Sequence, residues 1–256
     1  MKHMTAKLLK LSLTLTLAMS GMGYAVSASA NAMFEALSSL TLTLSDVTTE
    51  DGRTRYGDDW SVYGELYYID SGSFTNGDGI AGYDYNTGNV EMYLGDSVTQ
   101  KTSAYGAAGV GIGDAHAFNG LDLYIENNAW ENLVYTFDFD YLISAAVGSD
   151  TGLLGDDALS TASIDILDDF FSVDVLEEVT ADLISGPNVD QLAYSGSFSF
   201  MLTPGDYNYL SAYSYSDGKS VGVSAVASAA VPEPSTLMLM GLSFVGFGAT
   251  RLRKKA

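Results

Sequence analysis

Residues 135–141 read YTFDFDY, an unbroken alternation of aromatic and smaller polar side chains. In an extended chain successive side chains point to opposite faces, so the four aromatic rings would lie on one side. Alternation with a period of two is typical of a β-strand that buries one face and exposes the other to water. The sequence therefore predicts a half-buried strand at this position.

The same alternation recurs along residues 38–226. The apolar members of the other runs are Leu40, Leu42 and Leu44; Trp60, Val62, Leu66 and Tyr68; Leu121, Leu123 and Ile125; Phe171, Val173 and Val175; and Phe198, Phe200 and Leu202. Segments rich in Gly, Asp, Asn and Ser, which favour turns, separate the runs at residues 71–79, 86–89, 109–114, 148–157 and 217–219. This pattern predicts an all-β fold, an antiparallel β-sandwich of about 8–11 short strands.

Two local features refine this prediction. Pro204-Gly205 suits the central positions of a type II turn, after which residues 207–215 are expected to return as the partner strand. Residues 163–184 mix acidic and apolar side chains, and Leu176–Leu183 (LEEVTADL) fits one or two turns of helix. We expect one domain over residues 31–225.

The charge of the chain is unevenly distributed. Its 256 residues include 11 Lys and Arg against 32 Asp and Glu, a formal net charge of −21. Residues 31–230 keep four of the basic residues and 31 of the acidic ones, so this body has a net charge of −27. A polyanion repels phosphate backbones, and we therefore expect no nucleic-acid partner. The absence of cysteine excludes disulfides, thiolate-bound zinc and thiol catalysis.

Residues 1–30 have the three parts of a secretory signal peptide. Basic residues precede an apolar stretch at 11–19 (LSLTLTLAM), and small residues follow it up to an A-x-A site at Ala28 and Ala30. The apolar stretch is far shorter than the roughly 20 residues of a transmembrane helix. We expect export through the secretion translocon and cleavage after Ala30, with Ala25 as a second candidate.

The C-terminal residues combine three features in a fixed order. A linker at 226–235 contains Val231-Pro232-Glu233-Pro234, whose prolines favour an extended backbone that a processing enzyme can bind. An uncharged stretch at 236–250 predicts a short transmembrane helix that anchors the precursor in the inner membrane. The tail 251–256 stays cytoplasmic by the positive-inside rule. Its basic residues are Arg251, Arg253, Lys254 and Lys255.

This tail resembles the PEP-CTERM sorting signal of Gram-negative bacteria, the substrate tag of exosortase enzymes. The resemblance implies that an exosortase in the inner membrane recognises Pro232-Glu233-Pro234 and removes the helix. Members are usually exported surface or matrix proteins made alongside exopolysaccharide. The same tail is sometimes labelled the ice-binding protein C-terminal domain, a label that implies no ice binding. An ordinary C-terminal anchor is the alternative interpretation.

The body offers two candidate binding surfaces. The first is a tyrosine stripe whose members are expected on one strand face and could stack on sugar rings: Tyr207, Tyr209, Tyr213 and Tyr215. The second is a group of oxygen donors on flexible loops, which Ca²⁺ prefers: Asp70, Asn76, Asp78 and Asp84. This group fits no known calcium-loop spacing, and turn formation alone also explains its composition. We expect no other cofactor.

Catalytic patterns are weak. His116 is expected in a loop with Asp114 nearby, but no G-x-S-x-G elbow supplies a nucleophile, so an ordinary loop histidine is favoured. The glycines at 109–113 do not fit a dinucleotide fingerprint and are predicted to form a loop. Adjacent acids such as Asp168-Asp169 are interpreted as solvated, because strand neighbours point to opposite faces.

These patterns predict an exported, non-enzymatic protein of the cell surface or extracellular matrix, processed by an exosortase-like enzyme. Its expected role is structural or adhesive, together with exopolysaccharide. The alternative is a glycan-binding, lectin-like module that could depend on calcium. A polysaccharide hydrolase is the less favoured third hypothesis.

Overall fold

The computed structural model describes residues 31–56, 59–149, 156–170 and 172–223, and it confirms the all-β prediction. The described residues form eleven strands and one 3₁₀ turn at Leu183–Ser185. The strands are β1 (Ala32–Thr49), β2 (Trp60–Gly77), β3 (Ile80–Tyr85), β4 (Gly88–Glu91), β5 (Ser97–Ala108), β6 (Gly111–Asn127), β7 (Leu133–Gly148), β8 (Asp157–Asp168), β9 (Asp174–Asp182), β10 (Asn188–Leu202) and β11 (Tyr207–Gly222).

The strands form two antiparallel sheets that pack as a sandwich. The five-stranded sheet has the order β10-β7-β1-β5-β3, and the six-stranded sheet has the order β4-β2-β6-β11-β8-β9. Every neighbouring pair is antiparallel. One face of each sheet is therefore buried in the core, and the other is turned to water.

The aromatic run on β7 occupies one end of the core, as its alternation predicts. Tyr135 and Phe137 are fully buried. The Phe137 ring stacks on Phe198 of β10 with 5.6 Å between centroids. Across the core, Trp60 of the opposite sheet meets Tyr135 edge to face at 6.5 Å. Contacts of this kind each contribute about 0.5–1.5 kcal/mol beyond the area that they bury.

The other end of the core is built from small and polar side chains. Ser38 Oγ donates to the carbonyl of Ser163 in the opposite sheet at 2.9 Å. The hydroxyls of Thr102 and Ser216 lie 2.9 Å apart across the same gap. Gly218 leaves room for the Phe34 ring, which a Cβ at this position would approach to 2.1 Å. Direct hydrogen bonds between the sheets thus satisfy polar groups that burial would otherwise penalise.

Asn127, at the end of β6, joins two of the connections that cross from one sheet to the other, those after β6 and after β10. Its Nδ2 donates to the carbonyls of Glu131 and Leu202 at 2.9 Å each, and its Oδ1 accepts from the amide of Ala129 at 2.9 Å. Its backbone amide donates to the Asp206 carbonyl, and its carbonyl accepts from the Gly205 amide. The fully buried Asn127 side chain therefore fixes both crossings.

The turn at Pro204-Gly205 is confirmed, but its predicted partner strand is wrong. Gly205 has φ 80°, and the Asp206 amide closes the turn on the Thr203 carbonyl at 3.0 Å. However, β10 pairs with β7, whereas β11 lies between β6 and β8 in the other sheet. The turn is a crossing between sheets rather than a hairpin, because Asn127 holds both of its ends.

The helix predicted over Leu176–Leu183 is also wrong, since residues 174–182 form edge strand β9 beside β8. Val179 and Ala181 point inward and are buried, whereas Leu176 and Glu178 face outward. Pairing with β8 overrides the local helical pattern, because the inward face completes the core. The predicted run of Phe171, Val173 and Val175 corresponds to the start of β9. The strand begins at Asp174, one residue after Val173, and Phe171 lies outside the described residues.

Several predicted loops belong to strands. Residues 71–77 continue β2, residues 111–114 begin β6, and residues 217–219 lie within β11. A bulge between Tyr68 and Asp70 shifts the register of β2 there. Tyr68 is 48% exposed and packs on Tyr85 of the other sheet, with 5.4 Å between the ring centroids. The glycines in these strands allow close approach of neighbouring groups, so they do not end the strands.

The signal peptide, the sorting motif, the tail helix and the basic tail lie outside the described residues. The compact unit that contains the sandwich ends at Val223. Within the described part of the chain, no helix is long and apolar enough to cross a membrane.

We expect Asn127→Ala to lower the free energy of unfolding by about 3 kcal/mol, because it leaves two buried carbonyls and one buried amide without a partner. Urea unfolding measures this change. The matched control is Asn132→Ala, which removes a surface amide that donates to Glu50 at 3.0 Å. It should change stability by less than about 0.5 kcal/mol. Equal effects of the two variants would show that Asn127 does not hold the crossings.

Candidate functional site

Four tyrosines form an exposed cluster on the outer face of the six-stranded sheet, and we name this cluster the tyrosine platform. It consists of Tyr63 on β2, Tyr124 on β6, and Tyr207 and Tyr209 on β11. Antiparallel register sets Tyr124 directly opposite both Tyr63 and Tyr209. The Tyr124 centroid lies 5.1 Å from Tyr63, 5.1 Å from Tyr209 and 5.3 Å from Tyr207. Tyr63, Tyr207 and Tyr209 are each about half exposed.

The platform has polar and concave surroundings. Loss of hydration, followed by the charge of Glu126, raises the pKa of the Tyr124 phenol above its ordinary value. Tyr63 also lines a groove of about 870 Å³ between β2 and the segment 89–94. Exposed aromatic rings beside polar groups and a groove are common features of ligand-binding sites.

The predicted tyrosine stripe on β11 does share one outward face, although its members differ in exposure. Tyr207 and Tyr209 are exposed, whereas Tyr213 and Tyr215 are half-buried. Phe118 on β6 packs against the last two, with centroids 6.2 Å and 5.9 Å away. The sequence could not show that Tyr63 and Tyr124 join the stripe, because their pairing depends on which strands are neighbours.

Tyr67 on β2 lies flat on the sheet, between the tyrosine platform and the group formed by Phe118, Tyr213 and Tyr215. A Cβ at Gly120 would come within 2.4 Å of its ring, so glycine is required beneath it. Burial and a hydrogen bond with Tyr213 raise the pKa of the Tyr67 phenol. Beside it lies a depression of about 390 Å³ lined by Phe118, Ser163, Asp165, Leu176, Tyr213 and Tyr215.

The outer face ends in a cluster of ionisable groups, which we name the His116 cluster. It contains Asp114 and His116 of β6 and Asp217 of β11. The prediction that His116 lies in a loop is wrong, since it lies within β6 and directly opposite Asp217. Burial and the nearby Asp114 charge raise the pKa of Asp217, while His116 opposes this shift. Burial, followed by the Asp217 charge, raises the pKa of Tyr215 to about 12.

The four calcium candidates occupy different positions around β2 and β3. Asp70 lies beside His116, with Oδ2 3.5 Å from Nε2. Asp78 accepts hydrogen bonds from the amides of Gly109 and Val110, which explains its place in the turn. Asn76 is the penultimate residue of β2, and Asp84 lies on β3. Calcium binding by this group stays a prediction.

The interpretation of Asp168 as a solvated acid is wrong, because the residue has a structural role. It is buried and accepts from the amides of Ser172 and Val173 at 2.6 Å and 3.1 Å. The Asn208 amide donates to its other oxygen at 2.9 Å. These bonds fix the connection that follows β8, so both oxygens of this carboxylate stabilise the fold.

The five-stranded sheet has a smaller outward cavity of about 290 Å³ whose lining includes Met33, Glu35, Tyr105 and Ala146. Burial raises the pKa of the Glu35 carboxyl above its ordinary value.

Residues 230–254 match the family model of the PEP-CTERM protein-sorting motif. The chain carries this sorting motif. The match includes the Pro232-Glu233-Pro234 sequence and extends into the basic tail, as the resemblance predicted. Neither the curated proteins nor the solved structures that were compared include a match to the chain.

The PEP-CTERM motif identifies an exported, membrane-anchored precursor that an exosortase-type enzyme processes for the cell surface. It is a processing site and says nothing about what the sandwich binds.

We expect Asp165→Asn to stabilise the fold at pH 7. Burial, with a smaller contribution from the charge of Asp174, raises the pKa of Asp165, so the folded chain holds this proton more tightly than the unfolded chain. Ionisation of Asp165 therefore costs stability once the pH rises above the unfolded pKa.

The gain should be present at pH 7 and should disappear near pH 3, where both states are protonated. Thermal unfolding at the two pH values measures it. Asp138→Asn, which removes an exposed carboxylate from β7, controls for the lower net charge. A gain that persists unchanged at pH 3 would contradict this explanation.

Proposed function

We propose that the mature protein is a non-enzymatic surface protein that adheres to exopolysaccharide through the tyrosine platform. The supporting observation is the exposure of Tyr63, Tyr207 and Tyr209 around Tyr124 on an otherwise regular sheet. Exposed aromatic patches on a folded protein usually mark binding sites. Their flat rings can pack against the apolar faces of sugars.

Polar groups beside the platform suit the hydroxyls of a sugar. Glu65 and Asp122 lie in the next row of the same face, directly opposite each other on β2 and β6. Ser211 Oγ already donates to one oxygen of Asp122 at 2.7 Å, which fixes the carboxylate in place. Carboxylates accept hydrogen bonds from hydroxyl groups, so this row adds orientation to the stacking contacts.

The charge of the body selects among polysaccharides. A surface with a net charge of −27 over residues 31–230 repels polyanions and attracts cations. We therefore propose neutral exopolysaccharide as the direct ligand. A calcium-dependent lectin is the alternative, and loss of binding on removal of calcium would favour it.

We expect Tyr124→Ala and Tyr209→Ala each to weaken binding to neutral exopolysaccharide about tenfold or more, as central aromatic contacts commonly do. Affinity electrophoresis of the purified protein in gels that contain the polysaccharide measures the change.

Tyr194→Ala is the matched control, because Tyr194 is also exposed but lies on β10 of the other sheet. It should leave the affinity unchanged. If all three variants bind equally well, the platform is not the binding surface. Shortening of the polysaccharide by the wild-type protein would instead support the hydrolase hypothesis.

Processing gives a separate prediction. In a host with an exosortase system, protein recovered outside the inner membrane should lack residues 1–30 and the helix after Pro234. Intact mass spectrometry measures both losses. The double variant Pro232→Ala, Pro234→Ala should retain the helix and stay in the inner-membrane fraction. Wild-type protein at the cell surface that still contains Arg251–Lys255 would show that the tail is an ordinary anchor.

A further inference from the structure

The His116 cluster brings together three potential metal ligands from two strands. Asp217 lies directly opposite His116 in the β6–β11 ladder, and Asp114 precedes His116 by two residues on the same face. One ligand atom of each residue lies within 4.8 Å of the other two. All three side chains are partly buried, so their positions are restricted by the sheet.

A neighbouring strand shapes the environment of the imidazole. Asp70 Oδ2 lies 3.5 Å from His116 Nε2, which places a third carboxylate against the ring. Gly72 lies opposite His116 in the β2–β6 ladder, and a Cβ there would come within 2.9 Å of the ring carbon Cε1. The absence of a side chain at Gly72 therefore leaves room for the imidazole ring, and Asp70 lies beside the ring.

Among the described residues, no lysine or arginine forms an ion pair with the carboxylates of the cluster. His116 lies beside Asp70, and the described arginines, Arg53 and Arg55, pair instead with Asp51, Asp59 and Glu131. Lys219 lies opposite Asp114 in the ladder, but its side chain is exposed and forms no ion pair with the described carboxylates. A cation from solution would compensate this charge.

We propose that Asp114, His116 and Asp217 bind a divalent transition-metal ion of the Zn²⁺ class. One imidazole nitrogen and two carboxylate oxygens are a donor set that Zn²⁺ accepts, and the nitrogen donor distinguishes the cluster from an all-oxygen calcium site. Ligands about 2.1 Å from a tetrahedral zinc ion lie roughly 3.4 Å apart, so modest side-chain rotations suffice.

The proposed ion has one coordination position open toward solvent. A carboxylate beside the ring nitrogen that does not bind the metal fixes the orientation of the imidazole and raises its basicity. Asp70, whose Oδ2 lies 3.5 Å from Nε2, would have this role with Nδ1 as the ligand atom. The site lies at the opposite end of the outer face from the tyrosine platform, separated by Phe118 and Tyr215. It does not require that the platform bind polysaccharide, so either proposal can fail alone.

Isothermal titration of the purified full-length chain in detergent with ZnCl₂ tests the proposal. We expect a saturable site that excess Ca²⁺ does not displace. His116→Gln and Asp217→Asn should each weaken Zn²⁺ binding about tenfold or more. Loss of a residue that only hydrogen-bonds a metal ligand commonly lowers metal affinity by that factor, and these two residues are proposed as ligands themselves. Asp138→Asn removes an equal charge from the other sheet and should leave the affinity unchanged.

The ring signals of His116 in the proton NMR spectrum give a second readout. The chain has two histidines, His3 and His116, so the spectrum of His116→Gln assigns them. Zn²⁺ should shift the His116 signals at one equivalent. If Zn²⁺ leaves these signals unmoved, or if Asp138→Asn weakens binding as much as Asp217→Asn, the site does not exist. Because the NMR titration uses the wild-type chain, it decides the question even if a variant misfolds.

Discussion

The buried amide of Asn127 is the interaction on which the arrangement of this sandwich most depends. It hydrogen-bonds two of the connections that cross between the sheets, one after β6 and one after β10. The second crossing removes β11 from its sequence neighbour β10 and inserts it between β6 and β8. Antiparallel pairing then determines which outward side chains become neighbours.

The outer face of the six-stranded sheet follows from this pairing. Tyr209 meets Tyr124 and Asp217 meets His116 only because β11 lies beside β6 in one register. A shift of β11 by one residue would send Tyr209 and Asp217 to the opposite face of the sheet, away from Tyr124 and His116. The tyrosine platform and the core are thus two sides of the same ladder. A single substitution that loosens the β10–β11 crossing would disturb the two together.

Local patterns in the sequence predicted the all-β class, the inward runs and the turn at Pro204-Gly205. They also predicted the sorting motif, which needs no tertiary context. They failed where the pairing of strands, rather than the local pattern of residues, determines the structure. The local pattern of Leu176–Leu183 predicts a helix, but pairing with β8 makes this segment a strand. The glycines around His116 predict a loop, but pairing with β11 places His116 in a strand opposite Asp217. Spacing along one strand could reveal Tyr207 and Tyr209, but not the contribution of β2 and β6 to the platform.

In the proposed function, the mature protein binds polysaccharide with the outer face of the six-stranded sheet. Hydroxyl-radical footprinting of the tyrosines, with and without neutral exopolysaccharide, locates the bound surface. We expect protection of Tyr63, Tyr207 and Tyr209, while the exposed rings of Tyr83 and Tyr194 on the other sheet keep their reactivity. Protection of Tyr83 and Tyr194 instead, or unchanged oxidation of all five, would contradict it.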